Sequence, residues 1–100
     1  MALPVHVFRF PGDLTALEAG EMKRQVTQIL AGEACILALD LSQVKYMDSA
    51  GLGVLTSAAY RARERGGEVR LHQPQPRVYA VLRTTRLDKI FDIVDTPASE

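Results

Sequence analysis

The sequence predicts an α/β domain built on a mixed, mostly parallel sheet of about four strands with helices packed on it. Three observations carry that reading. Short apolar or alternating runs take turns with longer runs of helical period, the most apolar run, Ala34 to Leu39, falls in the middle of the series, and no internal repeat or low-complexity linker interrupts it. With 100 residues, 47% hydrophobic and 24% charged, the chain is sized for a single core, and residues 1–100 read as one domain.

Val5 to Phe10 is the first strand, since Val5, Val7 and Arg9 fall on one side while Phe8 and Phe10 fall on the other. "PGDLT" is a turn, and Thr15 with Glu18 has the capping-box spacing that starts a helix near Ala16. Ala19, Met22, Val26, Ile29 and Leu30 make its apolar stripe, and Gly32 offers a left-handed stop, so this helix ends near Ala31. "ACILALDL", Ala34 to Leu41, is apolar on both faces until Asp40 and is placed centrally in the sheet. A second helix runs from about Ser49 to Arg65, Gly66-Gly67 breaks it, and "EVRLH" alternates as a strand. After the "QPQP" loop, Val78, Val81, Leu82 and Thr85 mark a third helix, and "IFDIV" is a short last strand. The crossovers are expected to be right-handed, and only "TPASE" reads as loosely held.

Charge and composition exclude several function classes. Lys+Arg and Asp+Glu are equal at 12 each, so the chain lacks the positive field of a nucleic-acid binder. The single cysteine, Cys35, lies inside the apolar run and reads as a structural thiol in a reducing compartment. No basic leader and no run approaching the roughly 20 apolar residues of a membrane helix is present, so the expectation is a cytoplasmic protein without membrane insertion. His6 and His72 are far apart and no CxxC occurs; no metal or cofactor is expected. "RARER", Arg61 to Arg65, reads as a solvated helix end, with a salt-sensitive contact to an acidic partner as the alternative.

The informative stretch is "YMDSAGLGVL", Tyr46 to Leu55, where the central strand gives way to the second helix. With Ser49 as the cap, Leu52, Leu55, Ala59 and Ala62 share the side that packs on the sheet, whereas Ser49, Gly53, Thr56 and Tyr60 share another. That second side is a candidate docking line with Tyr60 as its anchor. Gly51 and Gly53 cost helix stability, which implies close approach by the fold itself or by a partner. A purely structural account remains open, because Ser is a favoured cap and Asp48 is favourable beside a helix N-terminus. Asp40 at the strand end either accepts hydrogen bonds from the Asp48-Ser49 turn or faces water. An enzymatic alternative would pair Ser49 as nucleophile with His72 as base and Asp40, Asp48 or Asp92 as orienter, but the nucleophile elbow needs glycine where Met47 stands.

The block "ILALDLSQVKYMDSAGLGVLTSAAYRARERGGEVRL" resembles the signature of STAS domains, specifically of anti-sigma factor antagonists. The resemblance rests on the strand ending Asp40-Leu41-Ser42, the Met47-Asp48-Ser49-x-Gly51-Leu52-Gly53 turn, the helix, and the Gly66-Gly67 exit, and "PGDLT" and "VYAVLRTTRLDKIFDIV" extend it over most of the chain. It implies a non-enzymatic regulator that binds an anti-sigma factor with serine kinase activity and releases a sigma factor. It implies phosphorylation of Ser49 by that kinase as the off switch, and a metal-dependent serine phosphatase that restores binding. Asp48, Ser49, Gly51, Gly53, Thr56 and Tyr60 become the partner-binding set, with Asp40 near the site, and no cofactor is implied for the chain itself. The sequence departs from the family pattern in having no strand before Val5, in carrying Ala50 where a second serine is common, and in its short ending. Those departures leave open a STAS module that is not phosphorylated and acts in a signalling assembly or a lipid-transport complex.

Overall fold

The computed structural model describes residues 2–99. Strands and helices alternate along the chain: β1 (Val5–Arg9), α1 (Ala16–Leu30), β2 (Ile36–Asp40), α2 (Ser49–Glu64), β3 (Glu68–His72), α3 (Pro76–Thr84), a single 3-10 turn (Leu87–Lys89) and β4 (Asp92–Val94). The sheet order is β1-β2-β3-β4, and every pairing is parallel. Each strand is therefore added beside its predecessor in the same direction, and the apolar sides of all three helices meet the sheet in one core.

Side-chain alternation matches that two-layer arrangement. Leu37, Leu39, Leu41, Val69 and Leu71 join Val26 and Leu30 of α1, Val54, Leu55, Ala58, Ala59 and Ala62 of α2, and Val78 and Leu82 of α3 in a single core cluster. On the opposite face the parallel register sets Arg9, Asp40 and His72 in a row. Neighbours in that row would otherwise leave a carboxylate stranded against the sheet; Arg9 Nε reaches Asp40 Oδ2 at 2.9 Å. Cys35 is buried, and burial pushes its thiol pKa up, as a structural thiol requires.

The expected elements are all present, with shifted ends. The chain leaves β2 after Asp40 rather than Leu41, and β4 begins at Asp92 rather than at the Ile90 of "IFDIV" because Ile90 caps the 3-10 turn Leu87–Lys89 in the right-handed region. The α1 helix does not stop on a left-handed Gly32. Its cap is Ala31 in the right-handed region, and the carbonyls of Ala31 and Gly32 are taken by the guanidinium of Arg65. Arg63 likewise donates to the Ile90 carbonyl (3.1 Å), so two cations of "RARER" serve as ties within the fold. After α2 the reversal uses Gly66 at φ 83°, and a Cβ on Gly67 would stand 2.1 Å from the Cys35 carbonyl oxygen. The ending is held by the carbonyl of Thr96, which lies 2.9 Å from His72 Nδ1. Glu100, the last residue of "TPASE", lies outside the described residues.

Candidate functional site

The site forms where two strand-to-helix connections meet at the carboxyl end of the sheet. The β1–α1 turn and the segment before α2 are stitched by a parallel bridge between Leu14 and Met47, with Leu14 N donating to Tyr46 O (3.0 Å) and Asp48 N to Leu14 O (3.4 Å). Asp13 Oδ1 accepts from the amides of Lys45 and Tyr46, both at 3.1 Å. Leu14 and Met47 are buried beneath this seam, so the loops are held by apolar anchors as well as by hydrogen bonds.

Asp48 is the keystone of the seam. It, and not Ser49, is the N-cap of α2: its backbone is extended at φ −103°, and Oδ1 accepts from the Gly51 amide at 3.1 Å. Its other oxygen accepts from the amide of Ala16, the first residue of α1, at 3.0 Å. One carboxylate thus satisfies free amides at the starts of two helices, and these bonds, Gly51's first, hold its pKa below the usual carboxylate value. At the start of α1, Glu18 accepts from the Thr15 amide at 3.0 Å, and its pKa is lowered first by the Thr15 hydroxyl and then by that amide.

Ser49 is the first residue of α2 and is exposed, with the cap role taken from it by the residue before. Gly53 and Tyr60 are exposed and Thr56 half-exposed, so these four form a line on the solvent side, roughly a third of a turn from the buried Leu55, Ala59 and Ala62. Thr56 donates its hydroxyl to the Leu52 carbonyl at 2.9 Å. Leu52 is half-buried at the margin of the core.

Two predicted members belong elsewhere. A Cβ on Gly51 would stand 2.2 Å from the Leu14 carbonyl oxygen and 2.7 Å from Met47 Cγ, so this glycine is demanded by the fold and faces inward, off the docking line. A Cβ on Gly53 would meet nothing within 4 Å. Asp40 neither bonds the Asp48-Ser49 turn nor faces water: it is 5% exposed and accepts from Arg9 and from the Ser42 amide (2.8 Å). Burial raises its pKa, and the bonds from Ser42 and Arg9 outweigh burial and hold it below the ordinary value.

Sequence reasoning missed Asp13 as the second clamp of the seam and Leu17 as a neighbour of the site. Leu17 is 93% exposed on the first turn of α1, one residue past the amide bonded to Asp48. Its signal in the sequence was a leucine lying off the α1 stripe. Tyr46, at 49% exposed, is a rim residue. Among the described residues, no group of three or more His, Cys, Asp or Glu is placed to hold a metal ion, and no helix is long and apolar enough to cross a membrane.

A strand-to-helix turn that presents a serine beside a capping aspartate, on an α/β sheet of this order, matches the family model described as the STAS domain over residues 3–100. The chain belongs to the STAS domain family, among the anti-sigma factor antagonists. The anti-sigma-B factor antagonist of Listeria monocytogenes is 33% identical over 82 residues, which are 82% of this chain and 72% of that protein. The crystal structure of an anti-sigma factor antagonist from Thermotoga maritima superposes with a TM-score of 0.86 at 31% identity, covering 92% of this chain and 80% of that one. The anti-sigma factor antagonist SpoIIAA in its unphosphorylated form shares the fold, with a TM-score of 0.78 at 19% identity over 100% of this chain and 84% of that one, and a phosphorylated form of SpoIIAA is also known. Anti-sigma factor antagonists are non-enzymatic regulators, which sets the Ser49–His72 hydrolase alternative aside.

Proposed function

We propose that this protein binds an anti-sigma factor with serine kinase activity through the Ser49, Gly53, Thr56 and Tyr60 face of α2, and that phosphorylation of Ser49 switches the interaction off. The observation that carries the reading is the division of labour between neighbours: Asp48 caps the helix, while Ser49 is exposed and, among the described residues, its hydroxyl has no hydrogen-bond partner. The other half of the cycle is a serine phosphatase that returns the protein to its binding form. This cycle places the protein in the cytoplasm, where ATP and the transcription machinery are.

In the transfer, the Ser49 Oγ forms a bond to the γ-phosphorus of ATP while the bond to the β–γ bridging oxygen breaks, leaving ADP; the hydroxyl proton passes to a base on the kinase. The product carries about −1.5 to −2 charges at the positive end of α2. Free helix amides stabilise it, so the fold survives. A partner docked on the same face would have to bury that charge next to Asp48, so the interface fails. Moving a complex from nearly all bound to nearly all free takes a differential of roughly 5.5 kcal/mol, within reach of a desolvated, unpaired dianion.

Incubation with the cognate anti-sigma factor and ATP tests the reading directly. The protein gains one phosphate, located at Ser49 by peptide mass spectrometry, and Ser49→Ala gains none. Phosphate on Ser57 or Thr56 in its place would move the switch, and a protein that binds but accepts no phosphate would be a constitutive STAS module.

A further inference from the structure

The geometry points to a second docking surface, on α3 and the turn that follows it, for an acidic protein segment. Residues 76–90 carry Arg77, Arg83, Arg86 and Lys89 against one acid, Asp88, leaving eight basic and eleven acidic residues to the rest of a chain with 12 of each. All four cations are exposed, and among the described residues none of them enters an ion pair. In contrast, Arg63 and Arg65 of the more conspicuous basic run spend their guanidinium groups on backbone carbonyls.

Two of the four stand where the fold alone gives a cation no advantage. Arg77 sits in the first turn of α3, which contains no acid, so its charge opposes the helix dipole. Arg86 has φ 62°, a left-handed conformation that glycine or asparagine adopts with less strain. Arg83 is pre-set for recognition, because its guanidinium lies over the Tyr79 ring at 5.9 Å, one helical turn away. A stacked, planar fork is suited to carboxylates.

The same features select the occupant. Four cations on a chain of zero net charge fall short of the roughly six to ten phosphate contacts that make nucleic-acid binding strong. A helix that lies on a lipid surface needs a free apolar face. On α3, Val78 and Leu82 are fully buried in the core and Val81 is half-buried, which leaves no broad apolar face free. What this segment offers to solvent is four exposed cations and one aromatic, matched to a stretch of Asp and Glu on another protein.

The test is titration of the isotope-labelled full chain with an octaglutamate peptide, followed by NMR. Perturbations centre on residues 76–90, and binding weakens as ionic strength rises from about 0.02 M to about 0.2 M. Arg77→Gln combined with Arg86→Gly lowers affinity by about tenfold. Lys23→Gln combined with Arg61→Gln, an equal loss of charge elsewhere, leaves it within about twofold. Arg86→Gly relieves backbone strain, so a loss of binding in that variant is not a loss of fold, which thermal unfolding verifies. Perturbations centred elsewhere, equal losses in both pairs, tighter binding to vesicles containing phosphatidylserine, or salt-sensitive self-association at α3 would each overturn the proposal. Ser49 plays no part in this experiment, so its outcome is independent of the phosphorylation reading.

Discussion

The two sides of α2 obey different constraints although they share one backbone. The inward side is crowded to the point that Gly51 has no room for a methyl group, while the outward side leaves open space around Gly53, two residues on. Inward, Leu55 is 0% exposed and Ala62 1%; outward, Tyr60 is 60% exposed and Ser49 is exposed. Glycine in a helix is thus not one signal: at Gly51 it marks packing against the Leu14 carbonyl, and at Gly53 it leaves open space on the solvent side. Substitutions on the inward side are expected to act on stability, and those on the outward side on binding.

The largest stability effect is expected at Leu55→Ala, which empties a fully buried site and costs about 2–5 kcal/mol by chemical denaturation. Binding by the molecules that remain folded is unchanged. Gly51→Ala comes next: despite the better helix propensity of alanine, overpacking against Leu14 and Met47 costs about 1–3 kcal/mol. Gly53→Ala sharpens the comparison by reversing the sign. It raises stability by up to about 1 kcal/mol, since the methyl group meets open space, yet weakens binding to the anti-sigma factor in calorimetry. A Gly53→Ala protein that binds as well as the parent would remove this position from the interface. Leu17→Ala is expected to leave the melting temperature in place and to lower partner affinity modestly, because its side chain is 93% exposed next to the seam.

A smaller effect is expected in acid. The folded-state pKa of Asp40 is held below its ordinary value of 3.8, so the stability it contributes is present above 3.8 and is lost as pH falls through the lower folded value. Denaturation midpoints measured down the acid limb should therefore fall less steeply for Asp40→Asn than for the parent. Asp48→Asn probes the seam in the same way: its amide cannot accept from both Gly51 and Ala16 as the carboxylate does, and the melting temperature drops.

Much of this arrangement was legible in the residues. Thr15 with Glu18 announced the start of α1, the Ala34–Leu39 run announced the central strand, and the Met47–Gly53 turn announced the entry into α2. What was illegible depended on contacts between distant segments. Ser49 and Asp48 are both good caps, one residue apart, and the choice is decided by the Ala16 amide, which only the meeting of two loops brings to Asp48. Asp40 found its partner through the register of β1 on β2, which pairs it with Arg9 thirty-one residues earlier. Gly51 and Gly53 look alike until the Leu14 carbonyl is in place. Arg65 read as a solvated end because the α1 carbonyls it satisfies lie more than thirty residues away.

The central claim is that the outward side of α2 is a phosphate-controlled interface, and it is tested most directly by calorimetry with the cognate anti-sigma factor, comparing the unphosphorylated protein with the form phosphorylated at Ser49. The account predicts a loss of affinity on the order of 10⁴-fold, with the thermal unfolding of the free protein little changed. Equal dissociation constants for the two forms would contradict it, and would return Ser49 to an ordinary exposed residue beside a capping aspartate.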